Sequence, residues 1–307
     1  MRRHTIAALA LGCLLPLGSH AADQSKPTPT PAEILDAAKP SEWRTPDPRN
    51  LLLMQLPGGR VVIELAPDFS PRHADNIRTL VEGGYFDGLA IVRVQDNFVT
   101  QWGDPNDDDD GDKSQLRPLG KASKTLPPEY TRPIDPKLEW TPLPDGDVYA
   151  PEVGFSEGFP AARDPASGKM WLAHCYGMVG VARDIDPQSG AGSALYAVIG
   201  QAPRQLDHNL AIAGRVLEGM PLLAAMPRGP KPMGFYKDPA QRTTIQSVKL
   251  ASDLPADQRP ALEVLRTDSP SFTALIDARR HGHNDFYPTP VGKLELCNME
   301  APVREKP

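Results

Sequence analysis

Several side chains in this 307-residue sequence are of types that could bind a metal ion. His281-Gly282-His283 offers two imidazoles, and the run Asp107–Asp110, followed by Asp112, offers carboxylates for a divalent cation. A zinc site needs three or four donors, and no third ligand is near the two histidines, so a polar turn is favoured. The acidic run lacks the spaced ligands and closing Glu of an EF-hand loop, which favours a solvated turn. We predict no metal site and no cofactor.

The sequence also lacks the motifs in which side chains usually carry out covalent or metal-assisted catalysis. The sequence has no nucleotide-binding loop, HExxH helix or GxSxG elbow, and we interpret His73 and His174 as structural histidines. Arg93 stands within the apolar run IVRV, where an arginine usually marks an outward-facing position. Period-2 alternation predicts that Arg93 shares a strand face with Ile91, while Val92 takes the other face.

Composition excludes several classes of protein. With 40% hydrophobic residues the chain can bury a core, and its net charge of −6 argues against a nucleic-acid-binding face. No apolar run reaches the ~18 residues of a membrane span. Proline, at 35 residues, predicts long ordered loops. The oligomeric state is left open, with a monomer favoured.

Residues 1–21 have the pattern of a secretory signal peptide. Two arginines, a short apolar run and the small-x-small site Ser19-His20-Ala21 follow one another. The rival interpretations, a lipoprotein signal at Cys13 and a twin-arginine signal at Arg2-Arg3, match their patterns less well. We therefore expect cleavage before Ala22 and a periplasmic location.

Two cysteines, Cys175 and Cys297, remain after that cleavage. In an oxidising compartment they can form one disulfide, and by themselves they cannot supply four zinc ligands. A disulfide and two separate buried thiols both remain open.

The hydrophobic pattern predicts a mainly β domain that begins at Leu51. LLLMQL and RVVIEL, joined by Pro57-Gly58-Gly59, predict a hairpin. A helix follows, with its start at Ser70-Pro71 and its end at Gly83-Gly84. Strand-like runs with turn-rich connections then continue to residue 250, a pattern typical of an antiparallel barrel or sandwich.

Three segments surround or interrupt this domain. Residues 22–50 form a proline-rich N-terminal extension with a predicted helix of about two turns at AEILDAA. Residues 105–169 are predicted to be a loop insertion, which is longer than ordinary connections. Residues 251–307 form a C-terminal extension with a helix near Phe272–Arg280 and a final strand at GKLELC.

Four stretches between Gly59 and Leu250, in order, resemble the cyclophilin family of peptidyl-prolyl cis–trans isomerases. They are GRVVIELAPDFSPRHADNIRTLVEGGYFDG, IVRVQDNFVTQWGD, GMVGVARDIDPQSGAGSALYAVIG and QLDHNLAIAGRVLEGM. The resemblance implies a closed eight-stranded antiparallel β-barrel capped by two helices, the second beginning at Pro221.

The resemblance also implies the residues of an active site. It assigns catalysis to Arg93, and substrate binding to Phe98, Val99, Gln101, Ala182, Arg183, Tyr196, Leu206 and Leu210. The implied partners are proline-containing polypeptides, and the chemistry needs no cofactor. Without the resemblance, the apolar members of this set would be interpreted as ordinary core residues.

The sequence departs from the family pattern at the rim of that site. Arg183 replaces the Asn of an Ala-Asn element, Ala194 a Gln, Gln205 a Trp, and Leu210 a His, while Trp102 replaces the second Gly of the signature. Two functions therefore remain open. One is a peptidyl-prolyl isomerase that assists folding of exported proteins, and the other is a cyclophilin-like peptide-binding or chaperone module with little or no catalysis.

Overall fold

The computed structural model describes residues 29–108, 111–282 and 287–307, so the signal peptide expected at 1–21 lies outside the described residues. The α-helices are α1 (Pro31–Ala37), α2 (Pro71–Glu82), α3 (Met220–Ala224) and α4 (Pro270–His281). The strands are β1 (Trp43–Arg44), β2 (Leu51–Leu56), β3 (Gly59–Leu65), β4 (Ala90–Val94), β5 (Val99–Gly103), β6 (Arg132–Pro133), β7 (Thr141–Leu143), β8 (Glu152–Ser156), β9 (Phe159–Asp164), β10 (Lys169–Leu172), β11 (Met178–Val181), β12 (Leu195–Val198), β13 (Ile212–Glu218), β14 (Thr243–Thr244), β15 (Ser247–Leu250), β16 (Leu262–Leu265) and β17 (Val303–Glu305).

The main sheet is antiparallel and curled, with the strand order β14-β4-β5-β12-β11-β13-β3-β2-β15. These nine strands form an open ladder, which corrects the expectation of a closed eight-stranded barrel. The two end strands, β14 and β15, are consecutive in the chain and are not paired with each other. Ile245 donates its backbone N–H to the carbonyl of Leu89, and Gln246 donates its backbone N–H to the carbonyl of Gln55. The consecutive strands β14 and β15 therefore lie at opposite edges of the sheet, paired with β4 and β2.

The local predictions at the start of the domain are confirmed. β2 and β3 form a hairpin in full register, and α2 begins after Ser70 and ends at Gly83. The Ser70 hydroxyl donates to the carbonyl of Ile212 at 2.9 Å and makes no side-chain cap of the helix. This serine therefore anchors the helix start to β13.

The inner face of the curled sheet packs on α2 and α3. Its largest fully buried side chains include Trp102 of β5, Phe86 after α2, and Ile91 of β4. Trp102 replaces a glycine of the family signature, and here its indole fills this inner core.

Most of the insertion is loop, as predicted, but its described residues also contain four short strands that the prediction lacked. It supplies β6 to β9, which join β10 in a sheet of order β6-β10-β9-β8-β7. Gly154 of β8 faces β7 so closely that a Cβ there would overlap the carbonyl of Thr141. Short strands that contain Gly154 and Pro160 have weak strand propensity, and only their pairing reveals the sheet.

The two extensions pack together against the insertion. β1 pairs with β16, which pairs with β17, and α1 contacts α4. The helices predicted here are confirmed. The final strand predicted at GKLELC is wrong, because this run has no strand and ends in the 3-10 helix Leu296–Asn298. A second apolar core, which includes Trp43, Phe155 and Phe272, lies between these segments and the outer face of the main sheet. Among the described residues, no helix is long and apolar enough to cross a membrane.

Candidate active site

Three neighbouring strands bring Arg93, Gln101 and Tyr196 into one row. Arg93 of β4 is the register partner of Gln101 of β5, which is in turn the partner of Tyr196 of β12. Register partners in an antiparallel pair project from the same face. The row therefore lies on the outer face of the curled sheet, opposite the inner core.

A β-bulge sets the direction of Arg93. Ile91 pairs with Trp102 and is buried in the inner core, whereas Arg93 pairs with Gln101, so Val92 is the extra residue. The alternation predicted from the sequence, with Ile91 and Arg93 on one face, is therefore wrong. Bulges commonly redirect a side chain in this way, and here the bulge turns the guanidinium outward.

Neutral groups hold the half-buried guanidinium of Arg93. Its Nε donates to the carbonyl of Met233 at 2.6 Å, Nη1 donates to Gln101 Oε1 at 3.1 Å, and Nη2 donates to Gln95 Oε1. The Cζ atom lies 5.5 Å from the ring centroid of Phe98. No ion pair of the described residues includes Arg93.

Burial lowers the pKa of Arg93 from its ordinary value, and the charge of Asp108 opposes that shift. An arginine pKa starts so high that the group stays protonated at neutral pH. The site therefore presents a positive charge, on which the charge of Asp108 acts, beside an aromatic surface.

An apolar surface adjoins this charge. Phe98, Ala182 and Leu210 are half-buried and pack against the outer core, to which Val99 and Tyr196 belong. Val99 is only 2% exposed and Tyr196 3%, so these two form the floor and offer little surface of their own.

Leu206 is half-buried at the end of the 3-10 helix Ala202–Leu206, and its carbonyl accepts from Leu210 N. The structure thus groups five of the predicted binding residues in or against one core and joins Leu206 to them through this turn. Gln205, which stands where the family has a Trp, is exposed.

A chain of buried, hydrogen-bonded polar side chains holds Tyr196, part of the floor, in place. The Tyr196 hydroxyl lies 2.9 Å from His174 Nε2, and His174 Nδ1 lies 2.8 Å from Asp207 Oδ1. Arg204 Nε donates to Asp207 Oδ2 at 3.0 Å, and its Nη atoms donate to both oxygens of Asp147 at 3.0 and 2.9 Å. Asp147 belongs to the insertion, so the insertion contacts the site through this ion pair.

The protonation states of this chain follow from burial and charge. Burial opposes ionisation of Asp207, but the hydrogen bond and charge of His174 and the charge of Arg204 outweigh it, so its pKa is lowered. Burial raises the pKa of Tyr196, and the charge of Asp207 raises it further. A Tyr-His-Asp chain with a neutral phenol is a structural support and is not a nucleophile.

Gly180 makes room for the Tyr196 ring. It is the β11 register partner of Tyr196, and a Cβ at this position would overlap the phenol. The sequence offers no local signal for this requirement, since the two residues are 16 positions apart.

Arg183 occupies the rim near the end of β11. Its Nε donates to the carbonyl of Asn209 at 3.1 Å, and its Nη1 donates to the carbonyls of Asp184 and Ile185 at 2.6 and 3.2 Å. The side chain therefore bridges from the loop after β11 to the turn that precedes Leu210.

Sequence reasoning missed several members of the site. Met233 and Gln95 hold Arg93, and Arg204 and Asp147 support the floor. Gln95 lies within the quoted stretch IVRVQDNFVTQWGD but was given no role, and the other three lie outside the quoted stretches. His174 was predicted to be structural, and its contacts with Tyr196 and Asp207 agree with that role.

Two of the metal candidates of the sequence pair with neighbouring side chains. His281 Nδ1 pairs with Asp277 at 2.8 Å, while His283 lies outside the described residues. Asp107 pairs with Lys113, and Asp109 and Asp110 lie outside as well. Within the described ranges, no three His, Cys, Asp or Glu side chains are grouped to hold a metal ion.

This combination of a curled antiparallel sheet and an outward arginine beside an apolar floor agrees with a family-level comparison. The profile of cyclophilin type peptidyl-prolyl cis-trans isomerase/CLD matches residues 51–250, which is more than half of the chain. The chain belongs to the cyclophilin-type peptidyl-prolyl cis–trans isomerase family.

Individual relatives match shorter stretches. The probable peptidyl-prolyl cis-trans isomerase of Brucella suis biovar 1 (strain 1330) is 35% identical over 89 residues, which make up 28% of this chain and 45% of that protein. The peptidyl-prolyl cis-trans isomerase ppi1 of Schizosaccharomyces pombe is 43% identical over 47 residues, or 15% of this chain and 30% of that protein. The chain thus spans less than half the length of these curated relatives.

A solved structure matches over a larger part of the chain. Cyclophilin AquaCyp293 from Hirschia baltica aligns with 86% of this chain and 94% of its own, with a TM-score of 0.65 and 27% identity. Residues 51–250 account for only 200 of 307 positions, so this similarity also includes segments outside the family domain.

Proposed function

We propose that this chain catalyses cis–trans isomerisation of Xaa–Pro bonds in polypeptides. The observation that carries the proposal is the Arg93 guanidinium, which is turned outward by a bulge, held by neutral acceptors and placed against Phe98. Membership of the cyclophilin-type family supports the same activity.

The physical argument concerns the twisted amide. Rotation about the Xaa–Pro bond has a barrier of about 18–20 kcal/mol, because the nitrogen lone pair is delocalised into the carbonyl. In the twisted state the lone pair returns to the prolyl nitrogen, which then accepts a hydrogen bond. A guanidinium aimed at that nitrogen stabilises the twisted state more than either planar isomer, and this difference accelerates the reaction.

The neighbouring groups suit a bound proline. Phe98, Leu206 and Leu210 supply accessible apolar surface for the pyrrolidine ring over the floor of Val99 and Tyr196. Gln101 accepts from Arg93 through Oε1, so its amide NH₂ is left to donate to a peptide carbonyl.

Arg93→Ala tests the assignment. We expect kcat/KM for a proline-containing peptide to fall about 10- to 1000-fold, equal to about 1.4–4 kcal/mol of transition-state stabilisation. Arg93→Lys restores only part of the rate, because an ammonium lacks the guanidinium fork. A protease-coupled assay measures the rate, and thermal unfolding should shift by only a few degrees because the lost partners are neutral and near solvent.

The matched control is Arg49→Ala, which removes an exposed arginine that pairs with Asp47 in the N-terminal extension. Its rate should equal that of the wild type. If the wild type and a folded Arg93→Ala variant share one low rate, the chain is a peptide-binding or chaperone module and the isomerase proposal fails.

We also propose that the protein acts on exported polypeptides in a periplasm. The signal-peptide pattern of residues 1–21 and the disulfide between Cys175 and Cys297 both favour an oxidising compartment outside the cytosol. Intact-mass measurement of the exported protein should give a chain that starts at Ala22. Retention of residues 1–21, or an acylated Cys13, contradicts this proposal.

A further inference from the structure

We propose that the site prefers substrates with a carboxylate side chain near the proline, and that Arg183 recognises this carboxylate. The inference rests on the isomerase function proposed above and adds a class of substrate to it. Its basis is the position, charge and bonding of the Arg183 side chain.

Arg183 lies at the rim of the same groove. Ala182, beside it, packs against the outer core with Leu210, and Arg183 Nε bonds the Asn209 carbonyl next to Leu210. Its charge lowers the pKa of the Tyr196 phenol, against the larger effects of burial and of Asp207. The hydrogen bond to the Asn209 carbonyl places Arg183 at the rim, beside Leu210.

The positive charge of Arg183 is not neutralised by a direct partner. Its acceptors are three backbone carbonyls, and among residues 29–108, 111–282 and 287–307 no carboxylate forms an ion pair with it. Two acids share its loop, but the Asp186 carboxylate accepts from Gln188 N, and the described residues show no ion pair between Asp184 and the guanidinium. The carbonyls orient the guanidinium and leave its charge available to a peptide.

The spacing of strands indicates where on the peptide the carboxylate would lie. β4, which carries Arg93, is three strands from β11, which leads into Arg183. Adjacent strands are ~4.8 Å apart and an extended peptide advances ~3.4 Å per residue, so about four residues cover this distance. With the reach of both side chains, we place the carboxylate about two to four residues from the proline.

The test compares acetylated and amidated peptides that differ only by Glu or Gln at one of these positions, before or after the proline. NMR exchange measures their isomerisation, and titration of the same peptides measures Kd. In 20 mM salt we expect the best-placed Glu to improve kcat/KM and Kd about two- to fivefold over Gln, the range of a partly exposed ion pair. The preference should weaken in 0.5 M NaCl, because salt screens such pairs.

Variants assign the preference to one side chain. Arg183→Gln should abolish the discrimination between Glu and Gln, and Arg183→Glu should favour a Lys peptide. Arg49→Gln, which removes an equally positive but remote residue, should retain the preference for Glu. Thermal unfolding of each variant checks that it is folded.

Equal values for Glu and Gln peptides at every position in the wild type overturn the inference, and so does a preference that survives Arg183→Gln. The failure of the proposed function has a different signature. If no peptide is isomerised, that function fails, while the ratio of Kd values still decides whether Arg183 selects acidic peptides.

Discussion

Arg204→Met removes the central cation beneath the candidate site. Arg204 bonds both oxygens of Asp147 and one oxygen of Asp207, and the exposed fractions of the three side chains are 4%, 4% and 6%. Methionine keeps much of the length and apolar contact of the arginine but neutralises neither acid. The variant therefore leaves two buried carboxylates without their shared partner.

The expected loss of unfolding free energy is large, because nothing in the variant compensates the desolvation of the two carboxylates. Removing one member of a buried ion pair costs about 3–5 kcal/mol. This is a substantial part of a typical unfolding free energy of about 5–15 kcal/mol, so the variant should remain folded at 25 °C but with a reduced margin. For a domain of this size the melting temperature should fall by about 6–20 °C.

The loss of unfolding free energy caused by Arg204→Met should depend on pH. In the wild type the pKa of Asp207 is lowered in the folded state, so its contribution is present above the ordinary carboxyl pKa of about 3.9 and is lost as pH falls through the lowered value. Without Arg204, His174 is left to oppose the effect of burial, so the pKa of Asp207 is lowered less than in the wild type and its ionised form contributes less to stability at neutral pH. The difference in unfolding free energy should therefore be larger at pH 7 than at pH 4.5.

Urea unfolding at both pH values, with the disulfide intact and tryptophan fluorescence as the probe, measures these differences. Arg49→Met is the control, because its pair with Asp47 is exposed and should contribute less than about 1 kcal/mol. A loss below about 1 kcal/mol for Arg204→Met, or a loss that grows toward acid pH, refutes the reasoning.

Three further changes have defined outcomes. Gly180→Ala should push the phenol of Tyr196 from its position, at a cost of about 1–3 kcal/mol in urea unfolding, and an unchanged stability contradicts the packing. Replacing Cys175 and Cys297 together with Ser should destabilise the chain by about 2–4 kcal/mol, because the bond closes a loop of 122 residues; an equal midpoint for both proteins would exclude this contribution. Cyclosporin-like ligands, which in the family use the Trp that Gln205 replaces, should bind weakly, and inhibition at nanomolar concentration would contradict this expectation.

Local patterns in the sequence were sufficient where neighbours in the chain are neighbours in space. The β2–β3 hairpin and α2 follow from turn residues and apolar periodicity, and both are confirmed. The order of four motifs between Gly59 and Leu250 was enough to indicate the family, because each motif is a contiguous run. Helices α1 and α4 were also predicted, at the runs AEILDAA and Phe272–Arg280.

The insertion shows what local patterns miss. Its strands are short, and residues such as Gly154 and Pro160 lower the propensity of each one considered alone. Their hydrogen bonds connect them into a sheet, and the apolar surface of that sheet is buried against the outer face of the main sheet. The prediction of a mostly loop segment missed these strands because their burial depends on partners distant in sequence.

The direction of the candidate catalytic side chain was likewise decided by tertiary structure. Strict alternation predicts Arg93 on the face of Ile91, but pairing with β5 introduces a bulge that puts the two on opposite faces. The disulfide between Cys175 and Cys297, open at the level of sequence, joins residues 122 positions apart. By itself the sequence determined the residue types, the local elements and the family. The bulge, the disulfide and the buried chain from Asp147 to Tyr196 required the folded chain, because each depends on distances between segments that no local pattern specifies.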